Sequence, residues 1–372
     1  MLDKFFSMFS HDIGIDLGTA NTLVWVKGKG IVIREPSVVA MHKKTKKMIA
    51  IGSEARKMVG KTPATIITVR PLHHGVISDF DATISMISYY IHQVHEVGHF
   101  LPGTLAKPRV VVGIPSAVTE VERRAVWEAT LSAGARAAYL IEEPMAAAIG
   151  EGISVFAPTG IMVVDIGGGT TEIAVISLGG IVVSRSLRIA GDEMDTAIVH
   201  YIRLRHGLLL GESQAEDLKL KIGSAYEKKL KVKSSKLKVE DEKNEESDQQ
   251  RAGEKMAVVR GRDIETGLPK SIKIGEIEVR EALAPVISRI IEEIADIVDE
   301  VPPELSSDIL EHGILLTGGG AMLSGLDRLI LERTHMPVLV SDDPLTSVVR
   351  GTGKVLENEE LLNRVKVTGG LR

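Results

Sequence analysis

Apolar residues along this chain fall into short runs that end at glycine and longer stretches with helical spacing. Val163 to Val175, VVDIGGGTTEIAV, is apolar on both flanks of Gly167, Gly168 and Gly169. That pattern predicts a buried strand, a tight turn and a second buried strand. Ile15 to Val26, IDLGTANTLVWV, aligns with Val164 to Val175 without a gap: Asp16 meets Asp165, Gly18 meets Gly167, and Thr22 meets Thr171. Two such hairpins predict two similar halves facing a shared cleft. Gly313 to Leu326, GILLTGGGAMLSGL, reads as a short strand ending at Gly318, Gly319 and Gly320 with a helix behind it. Leu140 to Gly152, LIEEPMAAAIGEG, reads as a strand giving way to an Ala-rich helix around Pro144, with Glu143 at the mouth of the cleft. Glu120 to Ala135 is helical, and Thr119 suits its N-cap.

The chain has 372 residues, room for two to four structural units. Its 44% hydrophobic and 26% charged residues fit a soluble globular protein. A net charge of −5 gives nothing that favours nucleic acid. The absence of cysteine excludes a disulfide framework and fits a reducing compartment. No apolar run is long enough to span a bilayer, and the opening MLDKFFSMFS is too short for a signal peptide.

The turns suggest the chemistry. Glycine permits positive φ and close backbone approach, and successive N–H groups in such a turn make a concave anion site. Asp165 ends the first strand beside that site. A carboxylate beside a phosphate is repulsive unless a cation lies between, so the stretch suits a phosphate with hydrated Mg²⁺. A plain Gly-rich turn has the same local pattern, but two with matching flanks weaken that alternative. The third cluster is neither a GxxxxGK[ST] loop nor a GxGxxG fingerprint and holds no lysine. A helix N-terminus behind it would suit an anion or a close-packed nucleoside.

DIGIDLGTANTLVWVKGKGIVIREPSVVA, RPLHHGVISDF, EVERRAV, IEEPMAAAIG, VVDIGGGTTEIAV, GDEMD and LLTGGGAML together resemble the MreB family of bacterial actins, within the actin, sugar-kinase and DnaK ATPase superfamily. The resemblance runs from Asp12 to Leu356. It implies an α/β, actin-like ATPase fold: two duplicated α/β domains around a nucleotide cleft, each with a smaller subdomain. On that pattern residues 1–32, 75–148 and 345–372 form subdomain IA, and 33–74 form IB. Residues 149–188 and 272–344 form IIA, and 189–271 form IIB. The cofactors implied are ATP and Mg²⁺. Gly18, Thr19, Ala20 and Asn21 match the first phosphate turn, and Gly167, Gly168 and Gly169 the second. Asp16 and Asp165 match the carboxylates that hold Mg²⁺ through water. Glu143 matches the residue that orients the attacking water, with Thr170 assisting and Glu172 nearby. Glu216, Asp217, Leu218 and Lys219 match the adenosine helix, together with Gly318, Gly319, Gly320 and Ala321; Asp195 matches a cleft residue. The rival classes are a DnaK-type chaperone, which needs a long C-terminal substrate domain not expected here, and a small-molecule kinase, for which no substrate-side base is found.

Leu2, Phe5, Phe6 and Phe9 fall at i, i+3, i+4 and i+7, one apolar helical face, and three of the chain's six phenylalanines are among them. With the resemblance, this implies a filament held on the inner face of the cytoplasmic membrane. Phe100 and Leu101, in GHFLPG, are a second candidate for insertion, although both suit a local core equally. Val121 matches a family position where two protofilaments pair antiparallel, though an ordinary amphipathic helix shows the same pattern. The partners implied are a second copy, that membrane, the rod-shape membrane proteins and the cell-wall synthesis machinery, with no nucleic acid. His95 to His99, HEVGH, matches the zinc-protease signature, but Gly98 and the following FLPG end the helix both ligands need. Residues 226–255 are charged, basic then acidic, and read as a solvated insertion in IIB.

Overall fold

The computed structural model describes residues 10–96, 107–226 and 255–367. The apolar positions Leu2, Phe5, Phe6, Phe9, Phe100 and Leu101 lie outside the described residues, as do residues 227–254 of the charged stretch. The chain forms two compact units. The first comprises Met1–Gly191, Glu293–Ala321 and Met336–Arg372; the second comprises Asp192–Glu292 and Met322–His335.

In chain order the first unit holds β1 (Ile13–Leu17), β2 (Asn21–Val26), β3 (Gly30–Pro36), β4 (Val39–His42), β5 (Met48–Ile51), α1 (Ser53–Met58) and β6 (Ile66–Val69). There follow β7 (Leu72–His73), β8 (Val76–Ile77), α2 (Phe80–Glu96), β9 (Arg109–Ile114), α3 (Glu120–Ser132), β10 (Ala137–Glu142) and α4 (Glu143–Gly150). Next come β11 (Ile161–Ile166), β12 (Thr171–Ser177) and β13 (Gly180–Leu187). The second unit takes α5 (Gly191–His206), β14 (Leu208–Leu209), α6 (Glu212–Ile222), β15 (Met256–Asp263), β16 (Pro269–Gly275) and the first part of α7 (Glu276–Glu300). Then follow α8 (Pro303–His312), β17 (Ile314–Thr317), a 3₁₀ turn (Gly319–Met322), α9 (Leu326–Thr334), β18 (Val338–Val340), α10 (Ser347–Glu357) and α11 (Glu359–Val365).

Two five-stranded sheets in the first unit share one topology. One has the order β3-β2-β1-β9-β10, the other β13-β12-β11-β17-β18. In each, an antiparallel three-strand meander is followed by two parallel strands. The gapless sequence repeat thus extends to whole sheets. Alternation along a strand sorts side chains to opposite faces. Val110, Val112 and Ile114 of β9 join one apolar cluster with α2, while Val111 joins another with α4 and α10. The latter also takes Ile161 and Val163 of β11, so α4 and α10 are packed between the sheets.

α4 starts where the pattern predicts, with Pro144 in its first turn. Thr119 caps α3 in a reciprocal capping box with Glu122, but the helix ends at Ser132, three residues early, because Gly134 takes φ 113°. The third glycine cluster departs further. A 3₁₀ turn, not an α-helix, follows β17, and α9 begins only at Leu326 behind Gly325. Gly318 at φ 80° turns the backbone hard against Asp165 and Ile166, which leaves no straight path into a helix.

The second unit is smaller. β15 pairs antiparallel with β14 and β16, and its core draws Val259 and Ile274 from the sheet, Ala215, Leu218 and Ile222 from α6, and Leu283 from α7.

The α4–α10 crossing fixes Glu143 at the start of α4. Gly351 faces the backbone of Ala146, and Gly150 faces that of Ser347, so a Cβ at either would overlap main-chain atoms. Lys354 Nζ closes the C-terminal end of α4 by donating to the carbonyls of Ile149 and Gly150 at 3.0 and 2.9 Å. Gly351→Ala should therefore destabilise the fold by about 1–3 kcal/mol, read as a lower urea midpoint with an unchanged slope.

Candidate functional site

The two predicted turns lie face to face in the first unit. A Cβ on Gly168 would come 2.6 Å from Ala20 Cβ, and one on Gly169 would come 2.6 Å from Thr19 Oγ1. Only glycine lets them approach so closely. Each turn is braced from behind. Gly167 N–H donates to Thr170 O at 2.8 Å, and Ser37 Oγ donates to Gly18 O at 2.6 Å. Asn21 begins β2, paired with Pro36 of β3.

Sheet register brings the carboxylates to matching levels. Asp16 pairs with Gly113 across β1–β9, and Asp165 pairs with Thr317 across β11–β17. Glu172 is the antiparallel partner of Asp165, so both side chains leave one face. Glu143 passes Gly113, where an added Cβ would stand 3.5 Å from Glu143 Cγ.

The electrostatics are one-sided. Desolvation raises the Asp16 carboxyl to about 7. Desolvation, then Asp16 and Glu172, raise Asp165 to about 8. Glu143 is pushed well above the ordinary carboxylate range by burial first, then by Glu172, Asp16 and Asp165. Among the described residues every charge acting on Glu143 is negative. Glu172, 1% exposed, is raised by desolvation, but its hydrogen bonds oppose the shift. It accepts from Ser116 N–H at 3.0 Å, from Ser116 Oγ at 2.6 Å and from Ser186 Oγ.

Such a cluster of acids is the donor set a divalent cation and a phosphate would complete. Among the described residues no three His, Asp or Glu converge closely enough to cage a metal directly. The acids therefore fit a cation held through its water shell, the mode Mg²⁺ favours. Gly318 and Gly320 pack against Asp165 and Ile166, and Ala321 is buried beside them. Gly319 faces Leu345.

In the second unit α6 sorts its candidate residues by face. Leu218 is buried in the core. Lys219 pairs with Asp195 at 2.9 Å, and Glu216 acts on the same aspartate. Desolvation outweighs Lys219 and raises Asp195 to about 6. Asp217 points elsewhere, into a cavity of about 250 Å³ lined also by Gln214, Lys221 and Arg260. Glu216, Lys219 and Asp195 thus form one group, and Asp217 does not join it.

His95 has both ring nitrogens engaged: Nδ1 with Ile91 O at 2.6 Å, and Nε2 accepting from His11 N–H at 3.0 Å. No lone pair remains for zinc. The sequence gives Ser116 no role, and it marks His74 and Gly75 only as part of the motif RPLHHGVISDF, with no role for either. Their partners lie 56 to 95 residues away, beyond any local pattern.

The family model described as MreB/Mbl protein matches residues 10–364. The chain belongs to the MreB/Mbl family. The cell shape-determining protein MreB of Escherichia coli K12 is 48% identical over 361 residues, 96% of each chain. The cell shape-determining protein Mbl of Bacillus subtilis 168 is 45% identical, over 97% of this chain and all of that one. MreB5 of Spiroplasma citri bound to ADP superposes with a TM-score of 0.83 at 36% identity, covering 95% of this chain and 98% of that one. The MamK double helical filament, at 21% identity and TM-score 0.72, shares the fold. The fold is therefore actin-like α/β. Among the described residues no helix is long and apolar enough to cross a membrane.

The raised carboxyls fix a pH dependence. Asp16 and Asp165 hold their protons more tightly folded than unfolded, where the value is 3.8. Their contribution to stability is complete below the unfolded value and is lost as pH rises through about 7 and 8. The thermal midpoint of metal-free, nucleotide-free protein should fall across that window. Asp165→Asn should flatten the fall, and Mg²⁺ should raise the midpoint more on the alkaline side, both followed by scanning calorimetry.

Proposed function

We propose that this protein is an ATP-dependent cytoskeletal filament protein that determines cell shape, and that slow ATP hydrolysis regulates its assembly. The observation that carries the reading is the pair of opposed glycine turns flanked by four acids on which, among the described residues, no countercharge acts. The MreB5 structures of Spiroplasma citri bound to ADP and to AMPPNP support a nucleotide there.

In this reading the second turn, Gly167 to Gly169, and the first, residues 18–21, cradle the phosphates with their backbone N–H groups, Gly168 and Gly169 donating in the second while Gly167 N–H closes the turn on Thr170 O. Asp16 and Asp165 hold hydrated Mg²⁺ through water, and the ion would supply neutralisation of charge on the phosphates. Glu143, anchored in the first turn of α4, orients the attacking water in line and accepts its proton, with Thr170 assisting. Glu216, Lys219 and Asp195, with residues 318–321, are the adenosine contacts; Asp217 and Leu218 belong to the same helix. The four-subdomain division is part of the proposal. Its support is that sheet β5-β4-β6 falls within 33–74, and sheet β14-β15-β16 within 189–271 except for the last four residues of β16.

The protein polymerises with itself. Val121, 78% exposed near the start of α3, suits the antiparallel pairing of protofilaments. The filament lies on the inner face of the cytoplasmic membrane through Leu2, Phe5, Phe6 and Phe9, with Phe100 and Leu101 as a second insertion point. There it organises cell-wall synthesis with rod-shape membrane proteins.

Co-sedimentation with anionic lipid vesicles, with phosphate release followed in the same sample, tests these parts separately. Wild type should pellet as filaments with Mg·ATP. Glu143→Ala should still pellet while releasing phosphate roughly 100-fold more slowly. Hydrolysis without polymer under any nucleotide, lipid or salt condition would overturn the filament reading. A variant lacking residues 1–9 should still polymerise but bind vesicles weakly. Undiminished binding would remove the N-terminal face from the membrane contact.

A further inference from the structure

β15 has eight residues, but only one of its edges is filled along its length. β16 pairs with it from Met256 to Arg262. β14 has two residues and meets only Arg262 and Asp263. Glu276 N–H donates to Lys255 O, and Asp263 N–H to Leu268 O, both at 2.9 Å. In an antiparallel ladder successive residues turn their peptide groups to opposite edges. Ala257, Val259 and Gly261 therefore face β16 as well, while Met256, Val258 and Arg260 face the other edge. Ile264 keeps the same alternation, its N–H donating to Gly207 O at 2.8 Å on the β14 side. Among the described residues no strand meets Met256, Val258 or Arg260 on that edge.

Room lies beside them. The cavity of about 250 Å³ runs along Ala257 to Arg260 and is walled on its far side by α6. Gln214, Asp217, Leu218 and Lys221 form that wall, at the i, i+3, i+4 and i+7 spacing of one helical face. The strand's outer face is apolar, then basic. Met256 and Val258 are 55% and 59% exposed. Arg260 and Arg262 follow at two-residue spacing and are exposed on the same face, and Lys273 of β16 stands opposite Val258. Among the described residues Lys221, Arg260, Arg262 and Lys273 form no ion pair. Of the residues lining the cavity Asp217 alone is acidic. A chain of net charge −5 thus gathers four bases around an unfilled strand edge.

We propose that this edge is a docking site for an extended, acidic peptide segment of another protein, which adds to β15 as a further strand. Unpaired N–H and C=O groups in a row are a template for such an addition. The backbone groups of Met256, Val258 and Arg260 hold the added strand, and its alternate side chains face two ways. Those on the outer face meet Val258, Arg260 and Arg262; those on the inner face enter the cavity beside Lys221. Charge selects the partner, since four bases outweigh Asp217. The surface lies wholly in the second unit and is independent of the nucleotide reading.

Fluorescence anisotropy on the full-length protein, without nucleotide and below assembly concentrations, tests it with a labelled octapeptide alternating glutamate and valine. This peptide should bind, and its lysine counterpart should bind at least about tenfold more weakly, with the gap closing as salt rises. Arg260→Glu alters an exposed side chain and should reverse the preference. Val258→Pro removes a donor on the open edge while the bonds to β16 remain, and it should abolish binding with the thermal midpoint still cooperative. Amide exchange separates strand addition from simple charge attraction. On peptide binding Val258 and Arg260 should slow about tenfold or more, while Ala257 and Val259, already bonded to β16, change little. Equal affinity for both peptides, or binding that leaves exchange at Val258 and Arg260 unchanged, would overturn the proposal. So would no binding by wild type. If a variant lacking residues 227–254 then binds where wild type does not, the edge belongs to the chain's own charged stretch and not to a partner.

Discussion

The closeness of the two glycine turns is the constraint on which the site depends. Side chains at 168 or 169 would push Ala20 and Thr19 away, and the strands behind the turns could not keep their level. Asp16 and Asp165 sit near the ends of β1 and β11, so separating the turns would separate the acids as well. The parallel strands then set a second layer. β9 and β10 bring Gly113 and Ile141 to the level of Asp16, and the chain passes through Glu142 into α4 with Glu143. The site is thus specified by backbone approach first and by side-chain chemistry second.

That order explains what sequence reveals. The hairpins were legible because a gapless repeat with matching aspartates, glycines and threonines is a local pattern, and local patterns determine turns. The start of α4 was legible from Pro144, and the cap of α3 from Thr119. The shared strand order of the two sheets was implied only as far as the hairpins reach, since parallel partners come from distant segments. The same limit hid Ser116, His74 and the α4–α10 crossing. Gly351 lies against Ala146, some two hundred residues away along the chain, and nothing in either segment announces the other. The expected helix behind Gly320 failed for a related reason. Periodicity there fits a helix, but the contacts of Gly318 and Gly320 with Asp165 and Ile166 impose a turn first.

The acids also show how one neighbourhood assigns different roles to like groups. Glu143 and Glu172 are both glutamates, both desolvated, and the charge of Glu172 acts on Glu143. Glu172 accepts three hydrogen bonds from Ser116 and Ser186, which fix its carboxylate in place and favour its charge. Among the described residues nothing donates to Glu143, and its surroundings are all negative. A carboxylate already enclosed by donors has little capacity left for a substrate. One with lone pairs unmet at the end of a rigid helix has every reason to hold a water. By this argument Glu143 suits the water-holding role proposed for it, and Glu172 does not. Glu172 holds the loop before α3 and the strand β13 in register around it, and the negative charge it adds raises the proton affinity of Glu143.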